Sequence, residues 1–217
     1  MNKTVSLEEV PYCPDSCERF EQLRDLPRAV FLDSSFPHSQ TGRYDILCAD
    51  PVPSPGQPAI DAPEAAWQQY FTELAYFHRD YYGDVQPVSQ DIPFCGGLLG
   101  SLSYDCGKAL NRVADNSDST SSSNTHIPAY NWALLQDHLL KRAVLVTQTS
   151  VSASTRRDIL SRLRSGQSQN RQPFSLAGRF DSNFSEQEYR RAFERIQAYI
   201  QAGDCYQVNL AQRFSAS

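Results

Sequence analysis

The residue pattern predicts an α+β protein in which hairpins supply antiparallel strands and each helix carries one apolar face. Three observations predict it. Two pairs of short apolar runs, Ala29 to Ser34 with Tyr44 to Ala49 and Trp132 to Leu135 with Ala143 to Val146, are each separated by a polar turn, as antiparallel hairpins are. Two longer segments, 64–82 and 186–202, repeat apolar residues at helical spacing. The balance of 40% hydrophobic to 21% charged residues over 217 positions allows a substantial core and excludes a disordered or fibrous chain.

The elements follow in order. Asp15 or Ser16 can cap a short helix carrying Phe20, Leu23 and Leu26 on one side, and Pro27 ends it. The first hairpin comes next, its turn running from Ser35 to Gly42. Pro51, Pro53, Pro55, Pro58 and Pro63 then impose an extended spacer, because proline lacks the N–H that a helix or central strand requires. From Glu64 to Tyr82 the positions Trp67, Phe71, Leu74, Ala75 and Tyr81 share a helical face, and Gly83 ends the helix. Phe94 to Tyr104 is apolar and glycine-rich, the pattern of a strand that another backbone approaches closely. Asp115 to Thr125 is almost entirely Ser, Thr, Asn and Asp and predicts a mobile surface loop. The second hairpin turns at the polar Gln136, Asp137 and His138.

The closing segment is the most strongly specified. Ser185 and Glu188 have the spacing of a capping box, and Phe184 and Tyr189 that of a hydrophobic staple, so a helix should start at Glu186. Tyr189, Phe193, Ile196 and Ile200 would form its inner face, and Gly203 its left-handed stop. Tyr206, Val208 and Leu210 then alternate with Gln207, Asn209 and Ala211, predicting a strand buried on one face. Such a helix and strand need a sheet to dock on. The expectation is therefore that the chain is a fragment whose fold is incomplete at the C-terminus.

Several function classes are excluded by composition or motif. A formal charge of −5 without a basic stripe argues against nucleic acid as partner, since phosphate binding needs clustered Lys and Arg. No apolar run approaches the roughly 18 residues that suggest a membrane span. The first residues, Met1 to Glu9, lack a signal-like apolar stretch, so a cytoplasmic protein with six reduced cysteines is expected. Cys13 and Cys17 are spaced too loosely for a zinc knuckle and have no partner pair; they read as small buried residues. Gly96-Gly97-Leu98-Leu99-Gly100 lacks the spacing and the Lys-Ser or Lys-Thr of a phosphate loop, which leaves it a structural role. His38, His78, His126 and His138 are scattered, and no serine-nucleophile elbow exists.

Taken in order, several segments resemble one family. Leu26 to Ser34, Arg43-Tyr44-Asp45-Ile46, Phe94 to Gly100 with Tyr104-Asp105, Tyr130 to Leu134, and above all Ser182-Asn183-Phe184 through Gly203 to Phe214 are similar to the amino-terminal region of aminodeoxychorismate synthase component I. The sister family, anthranilate synthase component I, shares the plan but usually has Pro-Ser-Arg or similar where Leu210-Ala211-Gln212 stands here. The resemblance thus favours the folate branch over the tryptophan branch.

The resemblance implies antiparallel sheets packed as a sandwich with flanking helices. It implies a first domain over 1–165 that holds the effector half, a linker over 166–183, and over 184–217 the start of a chorismate-binding catalytic domain. It also implies a reaction in which chorismate, Mg2+ and ammonia from a glutaminase (glutamine amidotransferase) subunit give 4-amino-4-deoxychorismate for para-aminobenzoate and folate. The family's reactive lysine segment, Pro-Ile-Lys-Gly-Thr, and its Mg2+ carboxylates have no match here, so no catalytic or metal residue is assigned and the fragment alone is expected to be inactive.

What the resemblance does assign is part of a tryptophan-like effector pocket, at Ser34, Thr41, Gly42, Arg43 and Tyr44. Thr41 and Gly42 depart from the Tyr-Ser common in relatives. Taken without the family, Ser34 can equally end a strand, Arg43 can be a solvated turn residue and Tyr44 can be core. Gln207 and Asn209 are assigned a supporting place behind the substrate cavity, although alternate polar residues on a strand also suit solvent. The alternatives are an anthranilate synthase component I fragment and a stand-alone amino-acid-binding regulatory module.

Overall fold

A computed structural model describes residues 5–59, 61–85, 88–89, 91–103, 106–111, 125–165 and 175–216. The chain divides into two compact units, residues 1–169 and 170–217.

The first unit is built on a five-stranded antiparallel sheet. Its strands are β1 (Val5–Val10), β2 (Val30–Leu32), β3 (Tyr44–Cys48), β6 (Trp132–Asp137) and β7 (Arg142–Gln148), in the order β1-β7-β6-β3-β2. β2 with β3 and β6 with β7 are the two predicted hairpins. β3 pairs with β6 across a long sequence separation, with Asp45 opposite Gln136 and Leu47 opposite Leu134. A separate two-residue ladder joins β4 (Gly97–Leu98) to β5 (Ala129–Tyr130). Mixed helices and antiparallel sheets make this the expected α+β class.

Both faces of the central strands are covered. On one face Leu47, Trp132, Leu134 and Leu145 pack with Leu23, which follows α1 (Ser16–Glu21), and with Ile159, Leu160 and Leu163 of α4 (Ala153–Ser165). On the other, Cys48, Leu135, Val144 and Val146 pack with Ile92, Leu99 and Tyr130. Burial on two faces explains why β6 and β7 read as unbroken apolar runs rather than alternating strands. A third cluster holds the predicted face of α2 (Glu64–Tyr82), with Trp67, Tyr70 and Leu74 against Cys106 of α3 (Cys106–Leu110).

The glycine-rich segment is strand only at β4, but the close approach it predicted is present. A Cβ at Gly100 would overlap the His126 carbonyl, and Ser101 and His126 exchange backbone hydrogen bonds of 2.9 and 2.8 Å. Gly96 has φ +101°, and a Cβ there would run into the Gln148 amide. The loop predicted over Asp115 to Thr125 falls outside the described residues except for Thr125, which is buried and accepts from the Ser103 N–H at 2.9 Å. Of the linker expected over 166–183, residues 166–174 also lie outside them.

Two sequence expectations are corrected. Gln136, Asp137 and His138 do not form an exposed turn: all three are buried, because β6 continues through Gln136 and Asp137 to pair with β3, His138 directly after it donates its N–H to the Arg43 carbonyl at 2.8 Å, and their side chains find polar partners inside. Cys13 and Cys17 are not small core residues, since Cys17 is exposed and Cys13 only half-buried just ahead of α1. Gly83 ends α2 as expected, in right-handed geometry with φ −57°.

The second unit, taken by itself, contains α5 (Glu186–Ala202) and a two-residue ladder of β8 (Asp181–Ser182) with β9 (Phe214–Ser215). Every predicted feature of the α5 start is present: Ser185 and Glu188 cap each other reciprocally, and the Phe184 and Tyr189 rings meet edge-on at 6.4 Å. Gly203, at φ 80°, closes the helix. No residue of α5 is buried, and Phe193 is 50% exposed. Residues 206–211, predicted as a strand, are irregular. A strand requires a hydrogen-bonding partner, and among the described residues of this unit the one ladder is β8 with β9.

Candidate functional site

The predicted effector residues sit where the β2–β3 hairpin meets the end of β6. Asp45 anchors the cluster. Its Oδ1 accepts the Ser34 backbone N–H at 2.7 Å, and its Oδ2 lies 2.8 Å from His138 Nε2. On the far side of that ring, Tyr12 Oη is 2.8 Å from Nδ1; one tautomer, with the proton on Nε2, satisfies both contacts. The Phe36 ring stacks on His138 with centroids 4.2 Å apart. Burial pushes the Asp45 carboxyl up, but hydrogen bonds from Ser16, the Ser34 N–H and His138 outweigh it and hold the group below the usual carboxylate range.

A second buried chain supports the first. Gln136 accepts the Cys13 N–H at 3.1 Å and donates to Ser16 Oγ at 2.6 Å. Both networks need the antiparallel β3–β6 register, which sets Asp45 opposite Gln136.

Arg43 is not a solvated turn residue. Its guanidinium donates to Asp137 at 3.2 and 3.0 Å and to Asp91 at 2.7 Å, and it lies 4.5 Å from the centroid of the Tyr44 ring. These carboxylates raise the Arg43 pKa further above its ordinary value. The Asp137 carboxyl is pushed up by burial and down, more strongly, by Arg43 and the Leu140 N–H, so it sits below its usual range.

Two polar atoms are left over. The Ser34 hydroxyl and the Tyr44 hydroxyl are both buried without a hydrogen-bond partner among the described residues. Ser34 Oγ lies close enough to Asp45 to contribute to lowering its pKa but misses hydrogen-bond geometry. Gly42 allows this arrangement, because a Cβ there would stand 2.6 Å from the Ser34 carbonyl oxygen and 3.1 Å from its hydroxyl. Thr41 is exposed at the turn, with its N–H on Ser39 Oγ at 3.3 Å. The structure thus sets Gly42 against Ser34 and Arg43 against Tyr44, and leaves Thr41 at the tip. Gln207 and Asn209 are both exposed in the second unit.

A cavity of 410 Å³ opens beside the hairpin, lined by Phe31, Phe36, His38 and Asp45 together with the start of α1. Asp45 and Tyr44 are neighbours on β3 and so face opposite sides of the sheet; the cavity lies on the Asp45 side.

Sequence reasoning missed Tyr12, Asp45, Asp91, Asp137 and His138. The available signal was the run Gln136-Asp137-His138 directly after Trp132 to Leu135, where polar residues in register with Asp45 marked a buried network rather than a turn. Chemically the cluster is a set of mutually paired side chains, joined by hydrogen bonds and an ion pair. Its His138–Asp45 pair resembles a base with its orienting carboxylate, but the two side chains are only 1% and 4% exposed and are engaged with each other. The buried Cys48 thiol, pushed up to about 12 by desolvation, is equally unprimed. Among the described residues, no three His, Cys, Asp or Glu side chains gather to fit a metal ion.

Residues 54–217 match the family model described as chorismate binding enzyme. The chain is similar to aminodeoxychorismate synthase component 1 of Salmonella typhimurium, at 33% identity over all of this chain and 49% of the relative. It is also similar to the protein of that name from Klebsiella aerogenes, at 31% over 96% of the chain and 47% of the relative. Similarity to anthranilate synthase component 1 of Bacillus caldotenax is weaker, 27% over 60% of the chain. The chain spans about half the length of the curated relatives it matches.

Proposed function

Because the chain belongs to the chorismate binding enzyme family, we propose that it is the amino-terminal part of an aminodeoxychorismate synthase component 1. The complete enzyme would convert chorismate, with ammonia from a glutamine amidotransferase subunit, to 4-amino-4-deoxychorismate in the cytoplasm. The observation that carries this reading is the relationship along the entire chain to relatives of that name, at 33% identity for the first, against the shorter and weaker match to anthranilate synthase component 1. The apolar, uncovered face of α5 supports a second proposal: these 217 residues alone have no synthase activity, since helix faces of this kind are normally docked. Mg2+ belongs to the proposal for the whole enzyme. The side chains described here do not fit it, and no chemical step is placed on them.

A swap of halves tests the branch assignment. Joined to the carboxyl-terminal half of the Salmonella typhimurium relative, and given chorismate, Mg2+ and ammonium, the chain is expected to support turnover to 4-amino-4-deoxychorismate. Joined to the corresponding half of the Bacillus caldotenax anthranilate synthase component 1, it is expected to support far less turnover. The reverse ranking would overturn the assignment.

The first unit would serve as the effector half, binding a tryptophan-like amino acid at the hairpin. Support comes from the two buried hydroxyls, Ser34 and Tyr44, that lack hydrogen-bond partners among the described residues; native proteins rarely leave such groups unsatisfied. Arg43, already held by two aspartates, would shape the pocket rather than take the ligand's carboxylate. Gln207 and Asn209 remain proposed supports of the substrate cavity.

A further inference from the structure

The chain has 25 acidic against 20 basic residues, yet one groove on the first unit concentrates positive charge. It lies between α4 and the edge strand β1, has a volume of 630 Å³, and includes Arg156, Arg157 and Arg164 in its lining. Helical spacing puts 156, 160 and 164 on one stripe, where Leu160 joins the core and the flanking arginines reach over β1. On β1, Ser6 and Glu8 fall on the side that Val10 buries further along the strand, so polar groups replace the apolar floor.

Glu8 is the one carboxylate among the described lining residues. It is shared: Oε2 accepts from Arg156 at 2.6 Å and Oε1 from Arg164 at 2.8 Å. Arg157 donates through Nε to the Ala153 carbonyl at 3.2 Å and makes no ion pair among the described residues. Three guanidinium groups against one carboxylate leave a formal surplus of two positive charges, beside the hydroxyls of Ser6, Thr147 and Thr149.

We propose that this groove binds a small phosphate monoester. The surplus matches the charge of a phosphate monoester, about −1.5 to −2 at neutral pH. Guanidinium groups pair with such oxyanions through two parallel hydrogen bonds, and the volume lies within the roughly 300 to 1,000 Å³ of small-molecule sites. This site rests on the first unit alone and is independent of the reaction proposed above.

The experiment is calorimetric titration of the 217-residue chain with glycerol phosphate, inorganic phosphate and, at matched ionic strength, sodium chloride. Saturable binding of the monoester is expected, with no saturable signal from chloride. Equal affinity for inorganic phosphate would assign the site to the free ion, still in this groove. Arg156→Ala combined with Arg157→Ala should weaken binding at least tenfold, while far-UV circular dichroism stays unchanged because Leu160 and Leu163 keep α4 docked. Glu8→Gln should tighten binding several-fold by freeing two guanidinium groups. No saturable binding, the same affinity in the double variant, or no gain from Glu8→Gln would each overturn the proposal.

Discussion

At Ser34 the hydroxyl is buried without a hydrogen-bond partner among the described residues, which separates the effects of removing it. Ser34→Ala takes away an unsatisfied group, so the thermal stability of the unliganded chain should change by less than about 0.5 kcal/mol. If an amino acid binds here, the same substitution should cost about 1 to 3 kcal/mol of affinity, roughly ten- to a hundredfold. Calorimetry with tryptophan reads the second effect, and unchanged affinity would remove Ser34 from the site. A different residue-scale effect comes from Asp45 and Asp137, both held below the ordinary carboxylate range. A lowered folded-state pKa contributes stability that is complete above the unfolded value, about 3.9, and is lost as pH falls through the folded value. These two carboxylates should therefore lower the melting temperature as pH falls below about 4, and Asp137→Asn should shallow that acid limb. Ser34 and Tyr44 could be picked out from the sequence only by resemblance. Their physical setting could not, because the atoms around them come from β6, Tyr12 and Asp91, far away along the chain.

Among the elements, burial predicts a contrast between β6 and α5. Leu134 is fully buried between helices and sheet, so Leu134→Ala should cost about 2 to 5 kcal/mol. Phe193 is half exposed on α5, and Phe193→Ala should cost under about 1 kcal/mol in this chain. Denaturant melts of the two variants check the ranking. Ser185→Ala, which breaks the capping box, should cost α5 about 1 kcal/mol, visible as lost amide-exchange protection in its first turn. The start and stop of α5 were legible from sequence because caps are decided by a few adjacent residues. β1 and α4 were not: β1 alternates Ser6 and Glu8 with Leu7 and Glu9, and α4 carries Arg156, Arg157, Arg162 and Arg164, so neither shows an apolar stripe strong enough to stand out. Alternation at 206–211 failed for the converse reason, since a pattern names a strand's faces but cannot supply its partner.

Over the whole molecule, the first unit has a sheet covered on both faces, whereas the second offers a helix with none of its residues buried. That asymmetry, with similarity to about half of each relative, supports the proposal that this chain holds the effector half of the enzyme and that the chemistry lies elsewhere in it. No described helix is long and apolar enough to cross a membrane. The α+β class and both hairpins were legible because they depend on local pattern; the β3–β6 pairing that builds the site joins residues about 90 positions apart, which no local pattern encodes. The most direct measurement is product analysis by chromatography after the purified 217-residue chain is incubated with chorismate, Mg2+ and ammonium. The account predicts no 4-amino-4-deoxychorismate above the protein-free control, and steady, protein-dependent formation of that product would contradict it.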